Sequence, residues 1–277
     1  MSAETLIKTG DLSEALLALQ AEVRANPSDA RLRVFLFQLL CIEGDWSRAV
    51  QQLKTSASLD PAALPMAQMY REAIVCEVYR EKVLRGQTPP PFDEDAPSWL
   101  SVLWDALKKE IDGDAEGAEL LRAMALRAAP AVAGRADGTD FDWIADADPR
   151  FGPVLELIVD GKYLWLPFAA IRQLTVHPPS DLRDLVWTPV TLTLLDGTEA
   201  IGLVPTRYPG THETGTPAQK LARATDWTER DGGTPLGLGQ RMFCTDEDDI
   251  ALMNLRDVTF HVPESSGTPS LKEASHG

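Results

Sequence analysis

The stretch GDLSEALLALQ, residues 10–20, is matched further along the chain by GDWSRAVQQLK, residues 44–54. In both stretches, apolar or small side chains recur at offsets of 3, 4, 7 and 11 from the residue after the Gly-Asp pair, which is the spacing of one helix face. Each copy ends at a proline, and Pro27 follows Gly10 at the same distance as Pro61 follows Gly44. Proline cannot continue a helix. The repeat therefore predicts two similar helices, each preceded by a turn at its glycine.

A third and weaker copy follows later in the chain. Gly113 and Pro130 have the same separation as the glycine and proline of the first two copies, and Ala118 stands at the position that Ala15 and Ala49 take there. A period of about 34 residues with a small residue in the helix and a closing proline is typical of tetratricopeptide-like repeats. We therefore predict a tetratricopeptide-like helical domain over residues 1–130, interrupted by a proline-rich, acidic loop near residues 87–98.

The sequence pattern changes after residue 130. Short apolar runs alternate with turn signals, and the Asp-Gly pairs at residues 160–161 and 196–197 each lie between two such runs, which is typical of β-hairpins. Residues 247–254, after a Thr-Asp cap, are predicted to form a helix. We predict a small α+β domain over residues 131–262, with a mostly antiparallel, barrel-like sheet. Residues 263–277 have little apolar surface to bury and are predicted to be disordered.

Composition and charge argue against several classes of partner. The 277-residue chain has a formal net charge of −16, so it repels phosphate groups, and we predict neither nucleic-acid binding nor membrane insertion. The three cysteines, Cys41, Cys76 and Cys244, are far apart, and the first two lie in apolar helical runs, which favours buried thiols in a reducing compartment. The N-terminal sequence has no long apolar core, and we predict a cytoplasmic protein.

The acidic stretch DWIADADPRFGP, residues 142–153, has two interpretations. Its aspartates could supply oxygen ligands to a cation, and a metal-dependent hydrolase built on Asp142–Asp148 is the alternative function. The stretch lacks the glycine and the closing glutamate of a calcium loop, and no histidine lies nearby. We favour a structural signature in which Asp146 and Asp148 cap backbone N–H groups and pair with Arg150. Since a GxSxG nucleophile motif is also missing, we predict no catalytic residue, no metal and no cofactor.

Aromatic residues of the second half form the candidate partner-binding set. Trp143, Trp165 and Trp187 each lie beside a turn, a proline or a charge, and Tyr163 and Arg183 lie close to them in sequence. Tryptophan, tyrosine and arginine dominate the binding energy of protein interfaces, although burial in the core is the commoner location of any one tryptophan. We predict that these five residues form a partner-binding surface and that at least one of them is core instead.

Several motifs, taken in order along the chain, resemble those of one protein family. They are LFQLLCIEGDWSRAVQQL, DADPRFGPVLELI, DGKYLWLPF, LRDLVWTP, TRYPG, ATDW and GLGQRMF. They extend over nearly the whole chain and are similar to the ImpE/SciE family, which includes accessory proteins of bacterial type VI secretion systems.

The resemblance implies a fold, a partner and a role. Members of the family have a tetratricopeptide-like helical region followed by an α+β domain and act without catalysis. They bind the N-terminal helix of the small subunit of the contractile sheath, and they are linked to sheath disassembly by the ClpV unfoldase. The expected partner is therefore an amphipathic helix of the small sheath subunit, with the unfoldase involved indirectly. A groove between helical repeats can accept such a helix.

Overall fold

The helical part of the chain comes first in the computed structural model, which describes residues 1–92, 96–230 and 233–261. Its helices are α1 (Ala3–Thr9), α2 (Leu12–Ala25), α3 (Ala30–Glu43), α4 (Trp46–Leu59), α5 (Leu64–Leu84), α6 (Ser98–Ile111) and α7 (Ala115–Ala128). Consecutive helices pack against each other from α1 to α5, and α6 packs against α7; the packing is most extensive between α3 and α4 and between α6 and α7. In the described part of the chain, no helix combines the length and the apolar character that a membrane span requires.

The Gly-Asp pairs of the repeat end one helix and begin the next. Gly10, Gly44 and Gly113 have φ angles of +86°, +76° and +83°, a left-handed conformation that favours glycine, and their N–H groups bond carbonyl groups of the preceding helix. The aspartate after each glycine accepts a hydrogen bond from a backbone N–H in the first turn of the next helix, as an N-cap. The predicted helices are confirmed, whereas the tetratricopeptide class of their repeats stays a prediction.

Strands and short turns build the second part of the chain. The strands are β1 (Gly134–Ala136), β2 (Thr139–Phe141), β3 (Ile144–Asp146), β4 (Val154–Val159), β5 (Lys162–Pro167), β6 (Ile171–Val176), β7 (Trp187–Leu194), β8 (Glu199–Pro205), β9 (Thr225–Arg230), β10 (Gly233–Gly239), β11 (Met242–Thr245), β12 (Asp249–Ala251) and β13 (Asp257–Phe260). Two short helices, α8 (Thr211–Thr214) and α9 (Pro217–Lys220), lie between β8 and β9. Both Asp-Gly hairpins form, from β4 with β5 and from β7 with β8.

The main sheet is antiparallel and open. Its strand order is β2-β1-β13-β6-β7-β8-β4-β5, and its neighbouring strands pair antiparallel. Among the described residues its end strands, β2 and β5, do not pair with each other, so the prediction of a barrel-like sheet is wrong. The physical reason is that the helices cover the sheet face that carries Tyr163 and Trp165, so the sheet buries these side chains against α5 and does not have to curl onto its own first strand. The smaller sheets are β12-β11-β3 and β10-β9.

Two cores lie on the two faces of the main sheet because side chains alternate along its strands. In β4, Val154 and Ile158 pack with the helices, whereas Leu155 and Leu157 pack into a second core formed within the sheet part. The first core is continuous from α1 to β8, so the helices and one sheet face fold around the same apolar cluster. That residues 1–130 and 131–262 are separate domains stays a prediction.

The prediction of a helix at residues 247–254 is wrong. Two other predicted segments lie wholly or partly outside the residues that the structure describes. Asp249–Ala251 forms β12 beside β11, because Thr245 accepts hydrogen bonds from the N–H groups of Glu247 and Asp248 and closes a tight turn between the two strands. The tail at residues 263–277 lies outside the described residues. The centre of the loop near 87–98, residues 93–95, lies outside them as well.

Candidate functional site

A network of buried charges joins the helices to the sheet. Arg80 of α5 donates from Nε and Nη2 to the two carboxylate oxygens of Glu156 in β4, over 2.8 and 2.9 Å, and from Nη1 to Glu77 over 2.7 Å. Arg241, between β10 and β11, donates to Glu156 and also to Asp146 of β3. All five side chains are buried. We call Glu77, Arg80, Asp146, Glu156 and Arg241 the buried charge network.

Local sequence brings the members of this network together. Glu77 and Arg80 are three residues apart on α5 and therefore lie on the same side of the helix. Glu156 is the one charge in the apolar strand VLELIV, and its position in the alternation turns it toward α5. A buried carboxylate is costly unless it is paired. Here it accepts hydrogen bonds from two guanidinium groups and from the hydroxyl of Tyr163, so the network fixes the sheet against the helices.

The pKa values of the two acids next to Arg241 shift in opposite directions. Burial raises the pKa of Asp146 to about 7, because the charge of Arg241 offsets only part of the desolvation and Asp148 adds a like charge. Burial alone would raise the pKa of Glu156 too, but the charges of Arg80 and Arg241 lower it to about 2. At neutral pH Glu156 is therefore ionised, while Asp146 is close to its midpoint of titration.

The stability of the protein is expected to depend on the ionisation of Asp146 between about pH 4 and pH 7. Its folded pKa lies above the ordinary value of 3.8, so its contribution to stability is complete below that value and is lost as the pH rises through 7. Asp146→Asn cannot titrate. The free energy of unfolding of this variant minus that of the parent protein should therefore increase as the pH rises through this window. The increase should be no more than about 1.4 kcal/mol per pH unit. Urea unfolding at a series of pH values measures both curves.

Glu156→Gln is the matched control for this pH dependence. The folded pKa of Glu156 is lowered to about 2 from 4.5, so its contribution is present above 4.5 and is lost only as the pH falls through 2. The difference in free energy of unfolding between Glu156→Gln and the parent protein should therefore stay constant over the pH range in which the difference for Asp146→Asn changes. If the free energies of unfolding of the parent protein and of Asp146→Asn change with pH in parallel, the pKa of Asp146 is not raised.

Asp148 and Arg150 form a second buried pair beside the network. Arg150 donates from Nε to Asp148 Oδ1 over 2.9 Å and from Nη2 to Oδ2 over 2.5 Å. The N–H of Gly237 in β10 donates to the same carboxylate over 2.9 Å, and the N–H of Asp148 donates to Asp146 Oδ1 over 2.8 Å. These contacts tie the end of β3 to β10, and through Asp146 they reach Arg241.

The contacts of the acidic stretch leave the metal interpretation without support. The carboxylates of Asp146 and Asp148 accept hydrogen bonds from guanidinium and amide groups, and Asp142 is exposed. In the parts of the chain that the structure describes, no three His, Cys, Asp or Glu side chains are grouped as metal ligands would be. The hydrolase alternative on Asp142–Asp148 therefore has no observation in its favour.

Arg207 links the end of α3 to the sheet part, a role that the sequence analysis did not assign. Its Nη1 donates to the backbone carbonyl groups of Ile42 and Lys220, over 2.8 Å each, and its Nη2 donates to that of Cys41 over 3.2 Å. A cation at the C-terminus of a helix satisfies its free carbonyl groups and complements its dipole. Burial lowers the pKa of Arg207 to about 10, so it stays protonated at neutral pH. In the sequence, Arg207 stands out only as the first residue of the RYPG motif, and the motif does not show which groups this arginine bonds.

Three of the five candidate partner-binding residues lie inside the protein. Tyr163, Trp165 and Trp187 are 2%, 3% and 0% exposed, and Trp165 Nε1 donates to the Tyr163 hydroxyl over 2.6 Å. Side chains buried this deeply cannot contact a partner, so the prediction that these three are surface anchors is corrected. The physical reason is that their positions in β5 and β7 fall on the sheet face that the helices cover.

The other two candidates, Trp143 and Arg183, are accessible to different extents. Trp143 is 39% exposed, between β2 and β3. The Arg183 side chain is 19% exposed; its guanidinium lies 4.7 Å from the centroid of the Tyr70 ring and pairs with Asp181 over 2.5 Å. A partner-binding role for these two residues stays a prediction.

A groove opens between the helices and the segment at residues 179–185. Its volume is about 660 Å³, and it is bounded by α1 and α3 on one side and by that segment on the other. The apolar residues that line it are Leu32, Val34, Phe35, Pro179, Leu182 and Leu185. Its charged lining residues are Glu4, Arg31 and Asp181. We call this feature the α1–α3 groove.

These features define a mixed helical and antiparallel-sheet protein whose helices pack on one face of an open sheet. The family model described as ImpE protein matches residues 138–259. The type VI secretion system accessory component TagJ of Pseudomonas aeruginosa is 48% identical over 260 residues, which cover 94% of this chain and 91% of that protein. The chain therefore belongs to the ImpE family, and the resemblance noted from the motifs is confirmed.

A solved structure shares this fold. The crystal structure of protein VPA1032 from Vibrio parahaemolyticus superimposes with a TM-score of 0.85 at 29% sequence identity. The match covers 94% of this chain and 97% of that chain, so the helical part and the sheet part both have counterparts there.

Proposed function

We propose that the protein is a non-enzymatic adaptor, an accessory component of a bacterial type VI secretion system, and that it works in the cytoplasm. The observation that carries this proposal is the 48% identity, over 94% of the chain, to a protein named as an accessory component of that system. The buried charge network supports a non-catalytic role, because its acids are paired with arginines inside the fold rather than presented to a substrate.

The proposed partner is the amphipathic N-terminal helix of the small contractile-sheath subunit. The step assisted is sheath disassembly or recycling by the ClpV unfoldase, which this protein would contact only indirectly. Apolar grooves beside helical repeats accept amphipathic helices, and the α1–α3 groove has six apolar lining residues. The net charge of −16 favours a partner segment that carries positive charge.

Titration calorimetry with a synthetic peptide of that helix tests the proposal. We expect binding with a dissociation constant of about 1 μM, which corresponds to ~8 kcal/mol. The control peptide has the same composition with its apolar residues spread around the helix, and it should not bind because it has no apolar face. If the native peptide gives no heat at concentrations far above the micromolar range, helix binding is refuted.

A further inference from the structure

We propose that the C-terminal segment, residues 262–277, covers the exposed edge of β8, with Leu271 and Lys272 seated in a cleft between β8 and α5. This segment follows the described part of the chain. The inference is independent of the proposed function and concerns a different part of the surface. The cleft has a volume of about 280 Å³, and we call it the β8 cleft. Its apolar lining residues are Pro65, Met69, Ala73, Ile158, Ile201 and Leu203.

One edge of β8 has no strand beside it over the first part of its length. β8 pairs with β7 throughout, whereas β4 meets it at one residue pair, at Leu203. The N–H of Thr206 donates to the carbonyl of Val186, and bonded pairs recur at every second residue of an antiparallel ladder, so the even-numbered residues of β8 bond to β7. The N–H and C=O groups of Glu199 and Ile201 therefore point to the other side, where no strand lies within the described chain. Such an edge can pair with an added extended segment.

The side chain of Ile201 leaves apolar surface exposed beside this edge. It is 72% exposed, and it lies on the same face of β8 as Leu203, which packs with the helices. Met69 of α5 also lines the cleft and is 41% exposed. The thiol of Cys76 in α5 donates to the carbonyl of Gly161 over 3.1 Å, so the β4–β5 turn is fixed to the helix. A segment added at the edge places one side chain between Ile201 and Met69 and covers both.

Charge complementarity and sequence single out the pair that fills the cleft. The charged residues that line it are Glu72 and Asp160, both acids, so the cleft attracts a cation. In residues 262–277, Leu271 is followed directly by Lys272, the single lysine or arginine of this segment. Leu271 supplies the apolar side chain, and Lys272 lies toward Asp160 in the turn at the end of the cleft. The composition of the segment predicts disorder on its own, and docking orders only the few residues around this pair.

The C-terminal segment begins close enough to reach the cleft. Thr259 of β13 is level with Glu199 across the sheet, because the register runs from Thr259 through Gln173 of β6 and Thr193 of β7. The position beyond β8 is four strand spacings from β13, or about 19 Å. Residues 262–271 extend up to about 33 Å. A segment tethered by a short linker has an effective concentration in the millimolar range, so the few contacts of a short strand are enough to hold it.

Hydrogen exchange of the Ile201 amide in the 277-residue chain, measured by NMR, tests the docking. This amide faces the cleft, so the docked segment protects it from exchange. Leu271→Glu removes the apolar anchor and should make the exchange about tenfold faster. Lys272→Glu removes the cation and should make it about two- to fivefold faster. Ser266→Glu adds a charge to the same segment outside the anchor pair and should leave the exchange rate unchanged.

A matched pair of turn variants tests the charge contact from the side of the cleft. Asp160 has a φ angle of +50°, a conformation that asparagine also accepts, so Asp160→Asn removes the charge and keeps the turn. We expect this variant to accelerate exchange at Ile201 about two- to fivefold. Asp196→Asn makes the same change in the other Asp-Gly turn, which does not line the cleft, and should have no effect.

Three outcomes overturn the docking of the C-terminal segment. The first is an exchange rate at Ile201 that is the same in Leu271→Glu and Ser266→Glu. The second is a methyl signal of Met69 that does not move between the parent protein and Leu271→Glu. The third is protection of Ile201 that grows with protein concentration, since the segment of a second copy then fills the cleft. The Leu271 and Ser266 variants change no residue of the folded part, and none of these results depends on peptide calorimetry, so the proposed function is tested separately.

Discussion

Replacing Arg241 by alanine is expected to lower the free energy of unfolding by about 3–5 kcal/mol. Arg241 is fully buried, and its guanidinium donates to Asp146 and Glu156 from two different strands. Without it, Asp146 loses its guanidinium partner in the network and Glu156 keeps only that of Arg80. A buried carboxylate without a counter-charge has a large desolvation cost, so the loss exceeds that of an ordinary hydrogen bond. Urea unfolding at neutral pH measures the change.

An exposed ion pair and a charge-free variant are the controls for this prediction. Arg48 pairs with Asp45 over 3.1 Å at the surface, and Arg48→Ala should change the stability by less than about 1 kcal/mol. Combining Arg241→Met with Asp146→Asn and Glu156→Gln should recover much of the lost stability, because no unpaired charge is then buried. An Arg241→Ala protein as stable as Arg48→Ala would show that the network contributes little.

Trp187→Ala is expected to lower the free energy of unfolding by about 3–5 kcal/mol as well. Trp187 has no exposed surface, and its ring centroid lies 5.9 Å from those of Trp46 in α4 and Tyr70 in α5. Its Nε1 donates to Glu77 over 3.1 Å, so the substitution also removes a hydrogen bond from the buried charge network. The substitution leaves a cavity between the helices and the sheet, and neither part can easily move to fill it. Urea unfolding and the melting temperature measure the loss.

Trp143→Ala is the comparison that separates a packing role from a binding role. Trp143 is 39% exposed, so its removal should cost less than about 1 kcal/mol. If Trp143→Ala weakens peptide binding at unchanged stability, this tryptophan belongs to the partner surface after all. Equal destabilisation by Trp143→Ala and Trp187→Ala would contradict the different burial of the two rings.

The helices of the first part were predictable because their signals are local. Gly44 takes a left-handed φ and Asp45 caps the next helix, and both effects depend on residues only a few positions away. The Asp-Gly hairpin at residues 160–161 is local in the same sense. The helix predicted at residues 247–254 failed because a side-chain turn at Thr245 and pairing with β11 competed with helical propensity.

The buried location of the aromatic candidates could not be predicted from spacing. Alternation shows that Tyr163 and Trp165 share a face of β5, but it does not show which face the helices will cover. The same limit applies to Arg207, whose targets at the end of α3 are 165 and 166 residues away in sequence. Such pairings depend on the packing of distant elements, which no local pattern encodes.

The sequence by itself determined the helical period, the caps and turns, the antiparallel hairpins and the family, because each depends on short-range chemistry or on ordered motifs. Only the tertiary structure decided that the sheet stays open, that Asp146 and Glu156 meet Arg241, and that three of the five candidate anchors are core. It also decided that a groove forms between α3 and residues 179–185. The physical reason is that burial and charge pairing are properties of surfaces in contact, and those surfaces come from segments far apart in the chain.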